Sequence, residues 1–438
     1  IPRPTRTTPR QGRRQRQMCI RDRDRIEWNK FSNVTWNPDS TGFFYAGYDQ
    51  PEDTQTYEAI NQNQKVMYHK LGTDQSQDAV IYQRPDQPEW GFDPRISDDG
   101  QYLILEISKG TDQRRRIFMR EFNSNAAFTE LIPDLEATYR YVGNDGGLFH
   151  FYTNYLAPNG KLISIDINNP GKSKWKSILP EGEDAIETIK YCSNQFVVIY
   201  LHDAHHRIER FDIDGKNLGN IELPMIGSIF SADLEEFLNG ERSDDELFFV
   251  FHSFIHPPTV IQYSFVSGET RIIERPNLPF DFQNYLVDQV FVKSRDGTMV
   301  PMFIIHSKDQ QKNTQDPTLL YGYGGFNISL TPSFLVSRLV WLELGGTLAV
   351  ANLRGGGEYG EEWHQAGSIL KKQNVFDDMI ACAEYLVENG YTSHEKLAIE
   401  GRSNGGLLVG ACITQRPDLF GAALPAVGVM DMLRFNKF

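Results

Sequence analysis

The chain has 438 residues and a formal net charge of −14, and 40% of its residues are apolar and 12% aromatic. This length and composition predict a folded protein of two or three domains with a large core, and they exclude a disordered chain. No apolar run approaches the roughly 18 residues of a membrane span, so no membrane partner is expected. An acidic body also argues against nucleic acid as the main ligand.

The cysteines are too far apart in sequence for a C-x-x-C pair, which argues against a zinc site or a disulfide scaffold. We expect buried free thiols and neither a metal nor a cofactor. The four residues are Cys19, Cys192, Cys382 and Cys412.

Residues 1–25 differ in composition from the rest of the chain. They contain nine Arg and two Asp, a net charge of +7, so the remaining residues carry −21. They show no periodic apolar face and no apolar stretch typical of a secretory signal. One interpretation is a disordered basic arm that binds polyanions. We favour the other, that the segment is non-native, and exclude it from the fold prediction.

Residues 26–276 show short alternating strands separated by polar turns. Turns near residues 39, 99, 145, 194 and 244 are separated by 60, 46, 49 and 50 residues, with further strand pairs between them. A four-stranded unit repeating at about this interval is typical of β-propeller blades, and a β-sandwich is the alternative. Five units do not complete a seven-bladed ring, so we expect further blades N-terminal to this sequence.

One hairpin of this region contains His202, Asp203, His205 and His206. These residue types can bind a metal ion. We favour the alternative, a polar hairpin end.

The pattern changes after residue 277. A hairpin with a turn at Arg295-Asp296-Gly297 precedes two buried strands that end in glycines, "TLLYGYGG" and "TLAVANLRGGG". "NVFDDMIACAEYLVENG" predicts a helix with Asn374 as its N-cap and Gly390 as its end. Alternating buried strands and helices indicate a mostly parallel sheet, whose active site lies at the carboxyl ends of the strands.

"KLAIEGRSNGG" places Ser403 after a strand, before a helix and within G-x-S-x-G spacing. This pattern is typical of a nucleophilic serine on a sharp turn, and an ordinary helix N-cap is the alternative. The backbone N–H of Asn404 can donate to an oxyanion. The hydroxyl of a tyrosine in "YGYGG", Tyr321 or Tyr323, offers a second donor, unless both tyrosines simply pack beneath the loop.

Two nearby features are less compatible with a catalytic role. "RGGGEYG" lacks the spacing of a phosphate-binding loop, and we interpret it as a glycine-rich turn near the rim of the site. His364 precedes Ser403, whereas the histidine base of such enzymes follows the serine. We therefore do not expect His364 to be the base.

Together these motifs resemble the prolyl oligopeptidase family, the propeller-gated serine peptidases. The matching stretches are "LYGYGGFNISLTPSF", "LAVANLRGGGEYGEEWH", "KKQNVFDDMIACAEYLVENGYTS", "GRSNGGLLVGACITQRPDLFGA" and "AVGVMDMLRFNKF". The resemblance covers at least residues 290–438 and, more weakly, most of 26–276. It implies a partial seven-bladed β-propeller over 26–276, followed by a truncated α/β-hydrolase domain over 277–438.

The resemblance implies Ser403 as the nucleophile, with Asn404 and Tyr323 forming the oxyanion hole. It also implies Phe326 and Val429 as part of a proline-accepting pocket. The expected partners are short proline-containing peptides, cut on the carboxyl side of proline. We expect a monomer in the cytoplasm, with the periplasm as the alternative.

The sequence also departs from the family pattern. Arg402 stands where many members have glycine, and the family's catalytic Asp and His would lie beyond residue 438. We therefore expect this chain to be an inactive fragment. Three alternatives are an oligopeptidase B that cuts after basic residues, a serine esterase and a non-catalytic binding module. Oligopeptidase B typically has Ala at the position of Asn404, which argues against the first.

Overall fold

The computed structural model of the chain describes residues 24–50, 61–229, 238–310 and 316–434. Cys19 and nearly all of the basic segment 1–25 lie outside the described residues. The chain divides into two compact units, one comprising Ile1–Leu156 and Leu162–Leu179, the other Ala157–Lys161 and Pro180–Phe438. The predicted domain boundary near residue 276 stays a prediction.

The first unit contains three four-stranded antiparallel sheets, each paired in chain order. Two strands, Trp90–Ile96 and Tyr139–Asp145, alternate buried and half-buried residues, whereas Gly42–Gly47 and most of Tyr102–Lys109 are buried on both faces. The strands are β1 (Thr35–Trp36), β2 (Gly42–Gly47), β3 (Lys65–Lys70), β4 (Ala79–Gln83), β5 (Trp90–Ile96), β6 (Tyr102–Lys109), β7 (Arg116–Glu121), β8 (Thr129–Ile132), β9 (Tyr139–Asp145), β10 (Leu148–Thr153), β11 (Lys161–Asp166) and β12 (Lys176–Leu179).

The second unit contains two further sheets of the same kind, ordered β13 to β16 and β17 to β20. Their shared core includes Val197, Ile208 and Phe249. The strands are β13 (Ala185–Cys192), β14 (Gln195–His202), β15 (His205–Phe211), β16 (Asn217–Ile221), β17 (Ser228–Ile229), β18 (Glu246–His252), β19 (Thr259–Ser264) and β20 (Thr270–Glu274).

All five predicted turns lie between the first and second strands of a four-stranded sheet. Four of them contain a residue with positive φ, the backbone conformation that tight hairpins require. These residues are Ser40 at 69°, Gly100 at 73°, Gly146 at 56° and Asn194 at 53°. The predicted blade pattern is therefore confirmed at the level of individual hairpins.

A six-stranded sheet follows, ordered β21-β22-β24-β23-β25-β26. The first three strands of this order pair antiparallel, whereas β24, β23, β25 and β26 are parallel. The strands are β21 (Tyr285–Lys293), β22 (Met299–Ser307), β23 (Thr318–Gly322), β24 (Thr347–Ala351), β25 (Leu397–Arg402) and β26 (Ala422–Ala426). The predicted hairpin at Gly297 and the predicted parallel sheet are confirmed.

Helices cover both faces of this sheet. Leu339 and Leu342 of one helix pack on Phe303 and Val350, while two other helices pack on the opposite face against residues such as Ile304. The helices are α1 (Val336–Glu343), α2 (Gly360–Ala366), α3 (Gln373–Glu388) and α4 (Asn404–Gln415). Burial of each large apolar side chain in these layers stabilises the fold by about 2 kcal/mol. In the part of the chain that the structure describes, no helix is long and apolar enough to cross a membrane.

The ends of α3 confirm one prediction and correct another. Gly390 has φ of 74° just beyond the helix, as expected of a glycine that ends it. Asn374 is not the N-cap, because the helix begins one residue earlier and Lys372 occupies the cap position. The Asn374 side chain instead donates to the carbonyl of Ala366 at 2.8 Å.

Three of the four cysteines lie in described residues, and all three are buried free thiols. Burial raises the pKa of Cys192 and Cys412 to about 12, so their thiols stay protonated at neutral pH. The prediction of buried free thiols is confirmed for Cys192, Cys382 and Cys412.

Candidate functional site

Ser403 lies on a sharp turn between β25 and α4. Its backbone has φ of 57° and ψ of −116°, a strained conformation for a residue with a Cβ. The side chain is exposed to solvent. A strand followed at once by such a turn and a helix projects the serine hydroxyl beyond the carboxyl edge of the sheet.

Close backbone contacts explain the glycines around Ser403. A Cβ at Gly401 would lie 2.2 Å from the carbonyl oxygen of Gly405, and a Cβ at Gly405 would lie 2.7 Å from that of Gly322. A Cβ at Gly406 would lie 2.6 Å from the carbonyl oxygen of Ala426. The helix can therefore approach β23 and β26 this closely only with glycine at these positions.

The backbone of Ser403 is fixed by hydrogen bonds, whereas no hydrogen bond to its hydroxyl is found among the described residues. The N–H donates to the carbonyl of Ala426 at 2.9 Å, and its carbonyl accepts from Gly406 and Leu407. Although Ser403 occupies the N-cap position of α4, its side chain makes no capping hydrogen bond. Ser403 therefore lacks the capping hydrogen bond that the alternative of an ordinary capping serine requires.

Tyr323 follows β23, the strand beside β25. Tyr321 pairs in parallel with Glu400, so the loops after both strands leave the same edge of the sheet. The ring of Tyr323 lies beside the first turn of α4, with Cδ2 3.6 Å from the position of a Cβ on Gly405. Its side chain is half-buried, and no hydrogen bond to its hydroxyl is found among the described residues.

The two tyrosines of this loop differ in environment. Tyr321 packs against the apolar cluster beneath α1, with the Arg338 guanidinium 5.1 Å from its ring centroid. Burial raises the pKa of Tyr321. The idea that the tyrosines only pack beneath the loop therefore fits Tyr321, whereas Tyr323 keeps a hydroxyl that can donate.

The side chain of Asn404 joins the loop after β23 to the start of α4. Its amide nitrogen donates to the carbonyls of Tyr323 at 2.6 Å and Gly324 at 3.0 Å. The Lys372 ammonium donates to the Gly324 carbonyl at 2.6 Å and to Asn404 Oδ1 at 3.2 Å. The backbone N–H of Asn404 lies at the helix N-terminus, where the helix dipole favours negative charge.

Phe326 and Val429 lie on two segments at the carboxyl edge of the sheet. Phe326 follows the Tyr323 loop with φ of 56° and is 61% exposed, and Val429 follows β26 and is 42% exposed. A ring and a branched side chain open to solvent can receive an apolar ligand.

The glycine-rich turn from Arg354 to Glu358 is held by buried charge. The Arg354 guanidinium binds the Asp378 carboxylate through two nitrogens at 2.9 and 2.6 Å. Burial alone would lower the pKa of Arg354, but its hydrogen bonds to Asp378 and Asp296 outweigh burial and raise it. This arginine supports the turn and is not available to a ligand.

The His364 side chain also contacts the backbone of two loops. Its Nδ1 lies 3.1 Å from the backbone nitrogen of Asn327 and 2.8 Å from the carbonyl oxygen of Gly355. The structure therefore agrees with the prediction that His364 is not the base of Ser403.

The hairpin that suggested a metal site has other partners. His202 Nδ1 lies 2.9 Å from an Asp184 carboxylate oxygen, and Asp203 accepts a hydrogen bond from the Tyr359 hydroxyl at 2.8 Å. Buried His206 accepts from the backbone N–H of Ile229 at 2.9 Å. These contacts favour the interpretation as a polar hairpin end.

Sequence reasoning missed three groups near the site. Lys372, Glu358 and the Arg354–Asp378 pair all lie at the carboxyl edge, yet none belongs to a motif with regular spacing. Glu358 and Arg354 are in the quoted glycine-rich turn, and two charges inside a glycine-rich buried segment were a signal that could have identified them.

Two family models match the chain. Residues 10–276 match the N-terminal β-propeller domain of prolyl oligopeptidase, and residues 332–438 match the prolyl oligopeptidase family. The first match begins inside the segment 1–25 that we excluded as non-native.

Curated prolyl endopeptidases are similar over almost the whole chain. The enzyme of Elizabethkingia meningoseptica is 40% identical over 93% of this chain and 57% of its own length. That of Dictyostelium discoideum is 38% identical over 94% of this chain and 57% of its own length. The chain thus spans little more than half the length of these relatives.

Solved structures of prolyl oligopeptidases and a related peptidase are also similar to this chain. A prolyl endopeptidase with 37% identity superposes with a TM-score of 0.87, covering 95% of this chain and 60% of its own. Prolyl oligopeptidase B of Galerina marginata, bound to a 25mer macrocyclization substrate, gives 0.87 at 32% identity, covering 94% and 58%. Oligopeptidase B of Leishmania major gives 0.78 at 27% identity, covering 90% and 55%.

Proposed function

Because this chain belongs to the prolyl oligopeptidase family of serine peptidases, we propose that it supplies the nucleophile of an enzyme that cleaves short peptides after proline. The observation that carries the proposal is the geometry of Ser403. Its hydroxyl is exposed on a strained turn and makes no capping bond, and Tyr323 lies beside the same helix turn.

The proposed reaction is acyl transfer. Ser403 Oγ attacks the prolyl carbonyl carbon, and its proton passes to a general base. The oxyanion then accepts hydrogen bonds from the Tyr323 hydroxyl and the backbone N–H of Asn404. Each such donor stabilises the transition state by about 3 kcal/mol in comparable sites. Collapse expels the protonated amine and leaves an acyl-enzyme, which water hydrolyses.

The proposed substrate preference rests on the exposed apolar side chains at the carboxyl edge of the sheet, where the turn at Ser403 also lies. Phe326 and Val429 would contact the proline ring, which has no N–H to satisfy and buries well against carbon. A substrate that is a chain of limited length also fits the family, since the Galerina marginata relative was solved bound to a 25mer macrocyclization substrate.

We further propose that the base and its carboxylate partner lie outside these 438 residues. Among the described residues, no histidine is hydrogen-bonded to Ser403, and His364 is bonded to loop backbone. The relatives are also considerably longer than this chain. The 438-residue chain alone is therefore expected to be inactive or nearly so.

The test compares the 438-residue chain with a longer protein in which it is continued by the C-terminal part of the Elizabethkingia meningoseptica relative. The longer protein should hydrolyse a Gly-Pro reporter, and the chain alone should not. Ser403→Ala should abolish turnover, and Tyr323→Phe should lower kcat by about 100- to 1,000-fold. Turnover of a plain acyl ester without cleavage after proline would contradict the peptidase proposal, and prolyl cleavage by the chain alone would contradict the proposed location of the base.

The similarity to oligopeptidase B supports a second candidate, cleavage after Arg or Lys. An arginyl reporter in the same assay separates the two. Faster turnover of the arginyl than of the prolyl reporter would replace the first candidate with the second.

A further inference from the structure

Lys372 reaches the carboxyl edge of the sheet from the cap position of α3. Its half-buried side chain ends between two oxygen acceptors, the Gly324 carbonyl at 2.6 Å and Asn404 Oδ1 at 3.2 Å. Burial lowers the pKa of Lys372 to about 8, because the ammonium has lost part of its hydration. Partial burial of a cation costs free energy, and the two hydrogen bonds of Lys372 offset that cost.

The Asn404 side chain completes the connection. Its nitrogen donates to the carbonyls of Tyr323 and Gly324, while its oxygen accepts from Lys372. A Cβ at Gly325 would lie 2.5 Å from Asn404 Nδ2, so this amide packs directly against the loop. Two side chains thus connect the loop that carries Tyr323 to the first residue of α4.

We propose that Lys372 is a positioning residue that, through the Asn404 amide, fixes the spacing between the two donors to the oxyanion. The proposal rests on the proposed function, since it assumes that Tyr323 and the Asn404 N–H act together. Neither Lys372 nor the Asn404 side chain touches the reacting atoms in this role.

We call the hydrogen bonds of the Lys372 and Asn404 side chains the clamp. The loop after β23 needs the clamp because its backbone is adaptable. Gly324 has φ of 59°, and the next residue is also glycine, so few steric barriers hold Tyr323 in place. An oxyanion hole works only when both donors lie within hydrogen-bond distance of one developing charge. A displacement of about 1 Å can cost 100-fold in rate.

The kinetic test uses the longer protein with Lys372→Met, Asn404→Ala and the double variant. Asn404→Ala keeps the backbone N–H, so any loss reports the side chain. Each single variant should lower kcat about 10- to 100-fold and leave KM within about twofold, because the donors act on the transition state. The double variant should be no more than about threefold worse than the worse single one. The matched control, Lys371→Met, changes an exposed lysine and should leave kcat unchanged.

Titration with a serine-reactive phosphonate gives kcat per reacting serine, which removes losses due to misfolded protein. Unchanged kcat in both single variants, or fully multiplicative losses in the double variant, would overturn the proposal. If Lys372→Met fails to fold, Asn404→Ala alone decides the outcome.

Hydrogen exchange tests the clamp in the 438-residue chain itself. Amides of residues 323–327 and 403–407 should exchange at least about tenfold faster in Lys372→Met than in Lys371→Met. Equal exchange rates would contradict the clamp even if the proposed peptidase activity is correct. If the longer protein turns over only esters, the proposed peptidase function is contradicted. The same variants, measured with that ester as substrate, still test the clamp. Absence of turnover with every acyl substrate would contradict both.

Discussion

Two buried carboxylates flank the glycine-rich turn at the edge of the site, and their surroundings differ. Asp378 accepts from the Arg354 guanidinium, from the Arg354 backbone N–H at 3.1 Å and from the Ser294 hydroxyl at 2.5 Å. Glu358 accepts at Oε1 from Leu330 N–H at 2.9 Å and from the Asn352 amide at 3.2 Å, but the described residues offer no hydrogen-bond partner to its buried Oε2.

The difference shows two ways of placing an acid in a core. Asp378 is paired with a guanidinium, which donates two hydrogen bonds to it. Burial raises the pKa of Glu358 to about 7, so much of it is protonated near neutral pH. Asp378 anchors the turn to α3 through its pair with Arg354, whereas Glu358 anchors Leu330 with a group whose charge depends on pH.

The largest expected effect on stability comes from replacing Asp378, the carboxylate that is paired with an arginine. Of the two acidic partners of Arg354 in the described part of the chain, Asp378→Asn leaves the partly exposed Asp296, so the free energy of unfolding should fall by about 4 kcal/mol. Urea unfolding at pH 7 measures it. The neighbouring Asp377→Asn, in a half-buried residue bonded to Gln373, is the control and should change stability by less than about 0.5 kcal/mol. Equal losses in the two variants would show that the pair is not the cause.

Two buried histidines, His206 and His252, allow the same comparison for basic groups. Burial lowers the pKa of His206 to about 3 and that of His252 to about 4. Each accepts a backbone N–H, from Ile229 and Phe334, which requires the neutral ring. The unfolded chain takes up protons below about pH 6.5, so stability from these residues is present above that pH and lost as pH falls towards 4.

At pH 4.5 each histidine should destabilise the fold by about 2.5 kcal/mol relative to pH 7. His206→Gln keeps an acceptor for the Ile229 N–H and should flatten the loss of stability between pH 7 and 4.5. The exposed His394→Gln is the control and should leave the slope unchanged. An unchanged slope in His206→Gln would mean that this histidine is already charged in the fold.

How far the sequence predicts these features depends on their range along the chain. Turns such as Asn144-Asp145-Gly146 depend on neighbouring residues, and G-x-S-x-G spacing predicted the turn at Ser403 because its glycines contact nearby backbone. The side-chain networks are different. Lys372 lies 32 residues from Asn404 and 48 from Gly324, and no periodicity links such positions. Asn374 failed as a cap for the same reason, since its partner carbonyl belongs to another segment.

The smallest expected effect on stability comes from replacing Glu358, the buried carboxyl group without an arginine beside it among the described residues. For Glu358 the folded pKa lies above the unfolded one, so its contribution to stability is present below about pH 4.5 and lost as pH rises through 7. Glu358→Gln keeps the acceptor for Leu330 and replaces the buried Oε2, for which no hydrogen-bond partner is found among the described residues, with a neutral N–H₂ group. Unfolding should therefore cost about 2 kcal/mol more in Glu358→Gln than in the unmodified chain at pH 8, with little difference at pH 5. Exposed Glu362→Gln is the control. A difference that does not grow with pH would mean that Glu358 is ionised throughout, and its free oxygen would then need a cationic partner as Asp378 has.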